Sequence, residues 1–369
     1  MKTKCYSVII AGGKGTRFWP LSRSLRPKQM LKILGRRSLI GETASRVLSI
    51  SGRKQTLVVT VVEQLAALRK ELRGIPRKNF LAEPQGKNTA PCIGLAALEV
   101  ATRDPGAIMV VLPADHWVTH IEGFLDAVRT AAAMAAHHDR LITIGIRPNY
   151  PETGYGYIMK GKPLGGKIAA YEVKRFREKP SVSIARQLIR QGSLWNSGIF
   201  VWKASLLLEL IQRYQPGIAK GLAEIQRAAN RRSLGAPSPR TRHIIAREYK
   251  KMPNISIDYA VLERGGAENK VITLEAEFGW SDVGSWAAVH RMMPHDENGN
   301  AGNGKWLAFG AKNSFIHAGK RLVVLLGVEN TVVVDTPDAL LVGDIKRSQE
   351  VRELVDELKR KGYGPYTLK

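Results

Sequence analysis

Residues 8–31, VIIAGGKGTRFWPLSRSLRPKQML, begin as a buried strand, turn on glycines, and then do not continue as a helix. The opening run carries no charge at any position, as a strand covered on both faces requires. Gly12, Gly13 and Gly15 follow, and the loop around them holds three arginines and two lysines. Three phosphate-binding designs compete for such a loop. A P-loop needs GxxxxGK[ST], and that spacing is absent. A dinucleotide fingerprint starts at Gly13-x-Gly15, but its third glycine would fall on Phe18, and Pro20 stands where the helix should be running. What remains is an extended loop. Amides at Gly12, Gly13 and Gly15 approach an anion closely, Thr16 and Arg17 add donors, and Arg17, Arg23 and Lys28 bring charge to phosphate oxygens.

Working outward, residues 6 to about 145 alternate apolar runs with amphipathic stretches. YSVIIA, TLVVTV, NFLA, AIMVVLP and LITIGI read as strands; GETASRVLSI, EQLAALRKEL, NTAPCIGLAALEVA and EGFLDAVRTAAAMAA carry helical spacing between them. This βα repetition predicts an α/β fold with a Rossmann-like, mostly parallel sheet flanked by helices. Ligands of such sheets bind beyond the carboxyl ends of strands. From about 150 the pattern changes to glycine-punctuated strands mixed with helices, expected to fold back over the sheet and complete a site. ANRRSLGAPSPRTRH, between Ala229 and His243, reads as a surface loop. After Pro294, DENGNAGNGK reads as a linker. Short Val/Leu strands at six-to-eight-residue spacing then predict an abbreviated β-helix or small sheet, and SQEVRELVDELKRKG a terminal helix capped by Ser348.

Length and composition bound the reading. At 369 residues the chain exceeds the roughly 250 to 300 residues over which one core usually keeps growing. It is therefore expected to divide into a large part, residues 1–294, whose pattern changes at about 150, and a small C-terminal segment over 305–369. With 44% hydrophobic and 24% charged residues it buries a sizeable core. Cys5 and Cys92 have neither disulfide-framework nor zinc-ligand spacing, and no stretch is long and apolar enough for a signal core or a bilayer span, so a cytoplasmic protein is expected. The net charge of +25 is scattered from Lys2 to Lys369 rather than gathered with aromatics on one face, which argues against a nucleic-acid partner.

Residues 11–31, AGGKGTRFWPLSRSLRPKQML, resemble the signature loop of sugar-1-phosphate nucleotidylyltransferases, and the PLSR…PKQ wording is that of mannose-1-phosphate guanylyltransferases. EPQGKNTAP at 83, VLPADH at 111, ETGYGYI at 152, FREKP at 176, WNSGIFVW at 195, SIDYAVLE at 256 and GWSDVGSW at 279 follow in the family's order. The resemblance implies the nucleotidyltransferase fold, with a nucleotide-binding half to about 150 and a sugar-binding part over 151–294, and transfer of GMP from GTP to mannose 1-phosphate with a divalent metal.

The residues give these implications chemical content. Asp115, just beyond an apolar strand, and Asp282 are candidate ligands for Mg2+, a hard cation that one or two carboxylates plus substrate phosphates commonly hold. His116 reads as a packed loop histidine. Glu83, Asn88 and Thr89 are expected at the mouth of the site, near the nucleoside; Asn88 and Thr89 also suit the N-cap of the following helix. By resemblance Lys179 contacts the sugar phosphate, while Gly154, Glu178 and Asn196 hydrogen-bond sugar hydroxyls. A sugar phosphate, with a second pKa of about 6, is already a nucleophile at neutral pH, so no general base is needed. Arg17, Lys28 and Lys179 are then the catalytic cations.

A nicotinamide oxidoreductase would need the missing glycine and an acidic end to the second strand, where TVVEQ offers only Glu63. Bifunctional relatives continue into an isomerase domain; this chain stops at Lys369, so no isomerase activity is expected. The tail resembles the short β-helix of single-activity members, which suits a homodimer and equally suits packing of the apolar strands on their own core.

Overall fold

The computed structural model describes residues 4–13, 15–165 and 168–368. Lys14, one of the two loop lysines, lies outside them. The chain forms two compact units that interleave in sequence. The first comprises the chain up to Gly12, Thr43–Ala114 and Val118–Trp280; the second comprises Gly13–Glu42, Asp115–Trp117 and Ser281 onward.

The first unit is built on nine strands: β1 Cys5–Ile10, β2 Thr56–Val61, β3 Phe80–Glu83, β4 Ile108–Pro113, β5 Leu141–Ile146, β6 Gly156–Pro163, β7 Ala170–Glu178, β8 Leu194–Lys203 and β9 Val271–Ala276. They form one sheet in the order β3-β2-β1-β4-β8-β5-β9-β7-β6. The first four strands are parallel, as the βα repetition predicts, and β5 runs parallel to β9. The other pairings are antiparallel, so the sheet is mixed. The later strands do not fold back over the sheet. They join it, and β8 inserts antiparallel between β4 and β5, buried along most of its length. Helix Thr89–Arg103 is buried from Ala90 to Val100 and packs against the helices Ala204–Tyr214 and Pro216–Ala229, which extends the core around Val8, Leu57, Val111 and Trp202.

The second unit holds short strands: β10 Ala301–Asn303, β11 Trp306–Phe309, β12 Phe315–His317, β13 Val323–Leu326, β14 Thr331–Asp335 and β15 Leu340–Asp344. β10, β12 and β14 stack in parallel register through Ala301, Phe315 and Val332, β11 pairs in parallel with β13, and β15 closes the stack antiparallel. This is the abbreviated β-helix expected from the strand spacing. The segment expected as a linker instead begins the first coil, where Asp296 Oδ1 accepts the amides of Asn298 and Asn300. Side chains alternate between two cores. Phe315, Val332 and Val334 join Trp286 and Phe18, while Ile316 and Val333 join Ala311 and Leu325.

Two helix boundaries also differ from expectation. The 229–243 loop is shorter, because Ser238 caps a helix beginning at Pro239 by accepting the Thr241 amide. Ser348 is not a cap; it is buried and accepts the Ala287 amide, while Asp344 caps the 3-10 turn before helix Val351–Arg360. Among the described residues no helix is long and apolar enough to cross a membrane.

Candidate active site

The signature loop is folded rather than extended. It makes two 3-10 turns, Thr16–Phe18 and Lys28–Met30, joined by a bridge between Arg23 and Arg26. Aromatic burial fixes its path. Phe18 meets the edge of Trp286 at 4.8 Å, Trp286 stacks on Phe315 at 5.4 Å, and Trp19 Nε1 donates to the Tyr366 carbonyl at 2.9 Å. The C-terminal strands and tail therefore serve as the scaffold of the loop. No βα pattern announces that role.

The two turns approach each other through Gly15, whose φ of +60° is left-handed. Lys28 sits behind it, 7% exposed. Its ammonium lies 2.7 Å from Asp115 Oδ2 and donates to the Asp282 backbone carbonyl at 2.5 Å. Gly15, Thr16, Arg17, Lys28, Asp115 and Asp282 line one cleft of about 580 Å3, and His116 lines it too rather than being packed away. Burial alone pushes the Asp115 carboxyl up, but the Lys28 ammonium and His116 reverse this and hold it below the usual carboxylate range. Asp282 precedes Val283, a buried β-branched residue held at φ +49°. That conformation is strained for valine, and the packing of its side chain with Trp286 and Val289 maintains it.

Arg23 does not reach this cleft. Its guanidinium is buried, bonds both Asp338 oxygens at 2.9 and 3.0 Å, and stands over Trp19. The loop arginines thus divide into Arg17, which faces the cleft, and Arg23, which fastens the loop to the C-terminal strands. Gly13 accepts the Gln29 side-chain amide at its carbonyl, and Gln29 is almost fully buried.

In the first unit the expected nucleoside and sugar residues fall into two groups. Glu83 is not at a mouth. It is 2% exposed, beside the Cys92 thiol and the Tyr249 hydroxyl, and burial pushes its carboxyl up to about 7. A Cβ on Gly12 would lie 3.7 Å from Glu83 Oε2, so the carboxyl backs the end of β1. Asn88 caps helix Thr89–Arg103 at φ +63°, accepting the Thr89 amide at 2.9 Å, and Thr89 Oγ1 accepts the Ile257 amide at 2.8 Å. Lys87, between the two expected polar groups, donates to the carbonyls of Lys250 and Met252.

The second group gathers Glu178, Lys179 and Asn196. Lys179 holds φ +43° at the end of β7, donates its amide to the Tyr155 carbonyl, and places its ammonium 2.5 Å from Glu178 Oε1. Gly156 permits the cluster, since a Cβ there would lie 2.6 Å from Glu178 Oε2 and 3.5 Å from Asn196 Cβ. Gly154 is exposed in the adjoining loop, its amide bonded to Glu152. Asn196 Nδ2 donates to Asp258 Oδ1 at 2.7 Å, and its Oδ1 accepts the Gly198 amide and the Thr143 hydroxyl. Asp258 opens a single π-helical turn, Asp258–Leu262; burial, and to a lesser extent Glu178, raise its carboxyl to about 6 despite the Asn196 bond. Asp258 was not among the residues expected at the site. The available signal was SIDYAVLE, an acid set into an otherwise apolar turn.

Among the described residues no three His, Cys, Asp or Glu side chains form a metal cluster. Of the carboxylates lining the cleft, Asp115 and Asp282 suit a divalent metal that completes its shell with water and substrate phosphates.

Residues 6–299 match the family model described as nucleotidyl transferase, and residues 304–358 match the mannoseP isomerase/GMP-like beta-helix domain. The chain is 40% identical over 358 residues to the xanthan biosynthesis protein XanB of Xanthomonas campestris, covering 96% of this chain and 73% of that protein. It is 38% identical over 363 residues to a mannose-1-phosphate guanylyltransferase of Klebsiella pneumoniae, covering 97% and 75%. A crystal structure described as mannose-1-phosphate geranyltransferase from Thermus thermophilus matches with a TM-score of 0.85 at 33% identity, over 97% of this chain and 100% of that one.

Proposed function

Because this chain belongs to the nucleotidyl transferase family, alongside proteins named mannose-1-phosphate guanylyltransferase, we propose that it transfers GMP from GTP to α-D-mannose 1-phosphate, giving GDP-mannose and pyrophosphate. The observation that carries the reading is the cleft in which Arg17 and Lys28 meet the carboxylates Asp115 and Asp282 beside the Gly15 turn. Cationic groups and backbone amides suit a triphosphate there, and two carboxylates suit its metal.

Each residue has a role in this scheme. A phosphate oxygen of mannose 1-phosphate attacks the α-phosphorus of GTP in line, and the bond from that phosphorus to the bridging oxygen of the β-phosphate breaks. The nucleophile carries its own charge, so no protein base takes a proton. Gly12, Gly13, Gly15 and Thr16 present donors to the triphosphate, and Arg17 neutralises the departing pyrophosphate. Lys28 uses two of its three N–H groups on Asp115 and Asp282, which orients the metal-binding loops, and keeps one for phosphate. Asp115 and Asp282 would hold Mg2+, which when bound screens the charge between the two anions. Lys179 holds the attacking phosphate, and Glu178, Asn196 and the Gly154 loop hold mannose hydroxyls. Asn88 and Thr89 set the edge of the nucleoside site, with Glu83 behind them in a supporting role.

We read residues 1–294 as the catalytic part and 305–369 as the appendage; the two family matches, over residues 6–299 and 304–358, support this reading. A homodimer through the appendage is supported by an exposed apolar face. Leu307 and Phe309 of β11 lie beside Val324 and Leu326 of β13, and all four are at least half exposed. The cytoplasm is the compartment we assign, since both cysteines are free thiols.

The test is a matrix of nucleoside triphosphates against sugar 1-phosphates with Mg2+, read as pyrophosphate release. The expected result is highest turnover with GTP and mannose 1-phosphate; no release with that pair overturns the reading.

A further inference from the structure

One wall of the Arg17–Lys28 cleft comes from helix Val351–Arg360, which contributes Arg352, Asp356 and Lys359. By sequence this helix is an amphipathic end-piece. Its apolar residues Val351, Val355 and Leu358 pack into the core that also holds Phe18, Trp19 and Trp286. Arg352, Asp356 and Lys359 repeat the same i, i+4, i+7 spacing one residue further on, about 100° around the helix. Burying the apolar stripe therefore fixes the rotation that turns this second stripe to the cleft. The helix also packs directly on the Thr16–Phe18 turn.

The charges on this wall are open to a ligand. Among the described residues Arg352 makes no ion pair, and neither does Arg17. Lys359 lies 3.6 Å from Asp356, with side chains 47% and 64% exposed, a pair too solvated to hold either group strongly. Lys28, by contrast, is buried and already committed to Asp115 and Asp282. The cleft thus has two uncommitted guanidiniums, one on the signature loop and one on the helix, with forks suited to bidentate phosphate contacts.

We propose that Arg352, supported by Lys359, binds the β- and γ-phosphates of the nucleotide and holds the departing pyrophosphate, which makes helix Val351–Arg360 part of the active site. This rests on the nucleotidyl-transfer reading. It adds a pyrophosphate subsite supplied from outside the catalytic family match, whose last residue is 299.

The test compares Arg352→Ala, Arg352→Lys and Lys359→Ala with wild type. Arg360→Ala is the control, because Arg360 pairs with Glu357 and does not line the cleft. Two readouts are used: binding of inorganic pyrophosphate by calorimetry, and the reverse reaction of GDP-mannose with pyrophosphate. Arg352→Ala is expected to weaken pyrophosphate binding and raise its KM at least 10-fold, with the KM for GDP-mannose within twofold. Arg352→Lys should recover part of the loss, since a point charge replaces a fork, and Lys359→Ala should show a smaller loss. Thermal melts identify any variant whose defect is misfolding, and Arg352→Gln then replaces the alanine. Pyrophosphate affinity within twofold of wild type in the Arg352 variants, or a wild-type protein that binds no pyrophosphate, overturns the proposal. A wild type that binds pyrophosphate through Arg352 but forms no GTP from GDP-mannose overturns the nucleotidyl-transfer reading and leaves the anion site standing.

Discussion

Gly15 and Lys28 approach so closely that a Cβ on Gly15 would lie 2.2 Å from Lys28 Cβ and 2.7 Å from the Lys28 amide nitrogen. Neither atom is the movable end of a side chain, so the turn around Lys28 would itself have to shift. The left-handed φ of +60° adds a second penalty of about 1 kcal/mol for any L-residue. Gly15→Ala is therefore expected to lower stability by about 3 kcal/mol in urea titrations and to reduce pyrophosphate release about 100-fold. Unchanged turnover would show that the loop tolerates a different path.

Arg23 and Asp338 make the second prediction. The arginine side chain is 4% exposed and the aspartate 48%. Removing the acid leaves a buried guanidinium without its partner, which costs about 3 kcal/mol. Asp338→Ala should lower the melting temperature by several degrees, whereas Arg23→Ala should leave the KM for pyrophosphate close to wild type once folding is controlled for. A large rise in that KM in Arg23→Ala would return Arg23 to the phosphate site.

The difference between Arg17 and Arg23 also shows what the sequence made legible. Both are arginines of one basic loop, and nothing in local spacing separates them. Only the return of the chain at Asp338, more than three hundred residues later, commits one of them. The βα repetition was readable because each apolar run is determined by its own burial. The antiparallel insertion of β8 was not, because strand order is a property of long-range pairing. Asp115 and Asp282 were readable as candidates through their motifs, yet their common contact with Lys28 depends on the fold. Asp258 lay inside the quoted SIDYAVLE wording, but its pairing with Asn196 emerges only from packing, as does the cleft wall of helix Val351–Arg360.

Lys28 supplies the third prediction. Its ammonium joins a partly exposed carboxylate and a backbone carbonyl from two distant loops. Lys28→Met keeps much of the apolar stem but loses the ammonium that stands over the Phe18 ring. We expect kcat/KM to fall about 100-fold or more, with a smaller change in stability. Wild-type turnover in Lys28→Met would remove Lys28 from the mechanism.

The exposed face of β11 and β13 gives a prediction on assembly. Leu307 pairs with Val324 and Phe309 with Leu326 across a parallel ladder, so four apolar side chains stand together on one surface. Phe309→Glu combined with Leu326→Glu should leave the fold intact, because both residues are about 70% exposed, and should convert a dimer to a monomer in light scattering. A wild type that stays monomeric at tens of micromolar counts against the dimer.

Glu83 determines a pH dependence whose sign can be worked out. Its carboxyl is raised from 4.5 to about 7, mainly by burial. The folded state therefore binds its proton more tightly than the unfolded chain. Below pH 4.5 both states are protonated and the group carries no penalty. Between about 4.5 and 7 the unfolded chain releases the proton first, so stability falls as pH rises, and above 7 the loss is complete. A shift of this size corresponds to about 3 kcal/mol as an upper bound. Glu83→Gln replaces the acid with a neutral group of similar shape, so the variant should be more stable than wild type at pH 8 and indistinguishable from it near pH 4. Denaturant titrations at the two pH values measure the difference directly. A Glu83→Gln protein that is less stable at pH 8 would mean that the ionised carboxylate is needed by the fold, which contradicts its buried placement beside Cys92 and Tyr249.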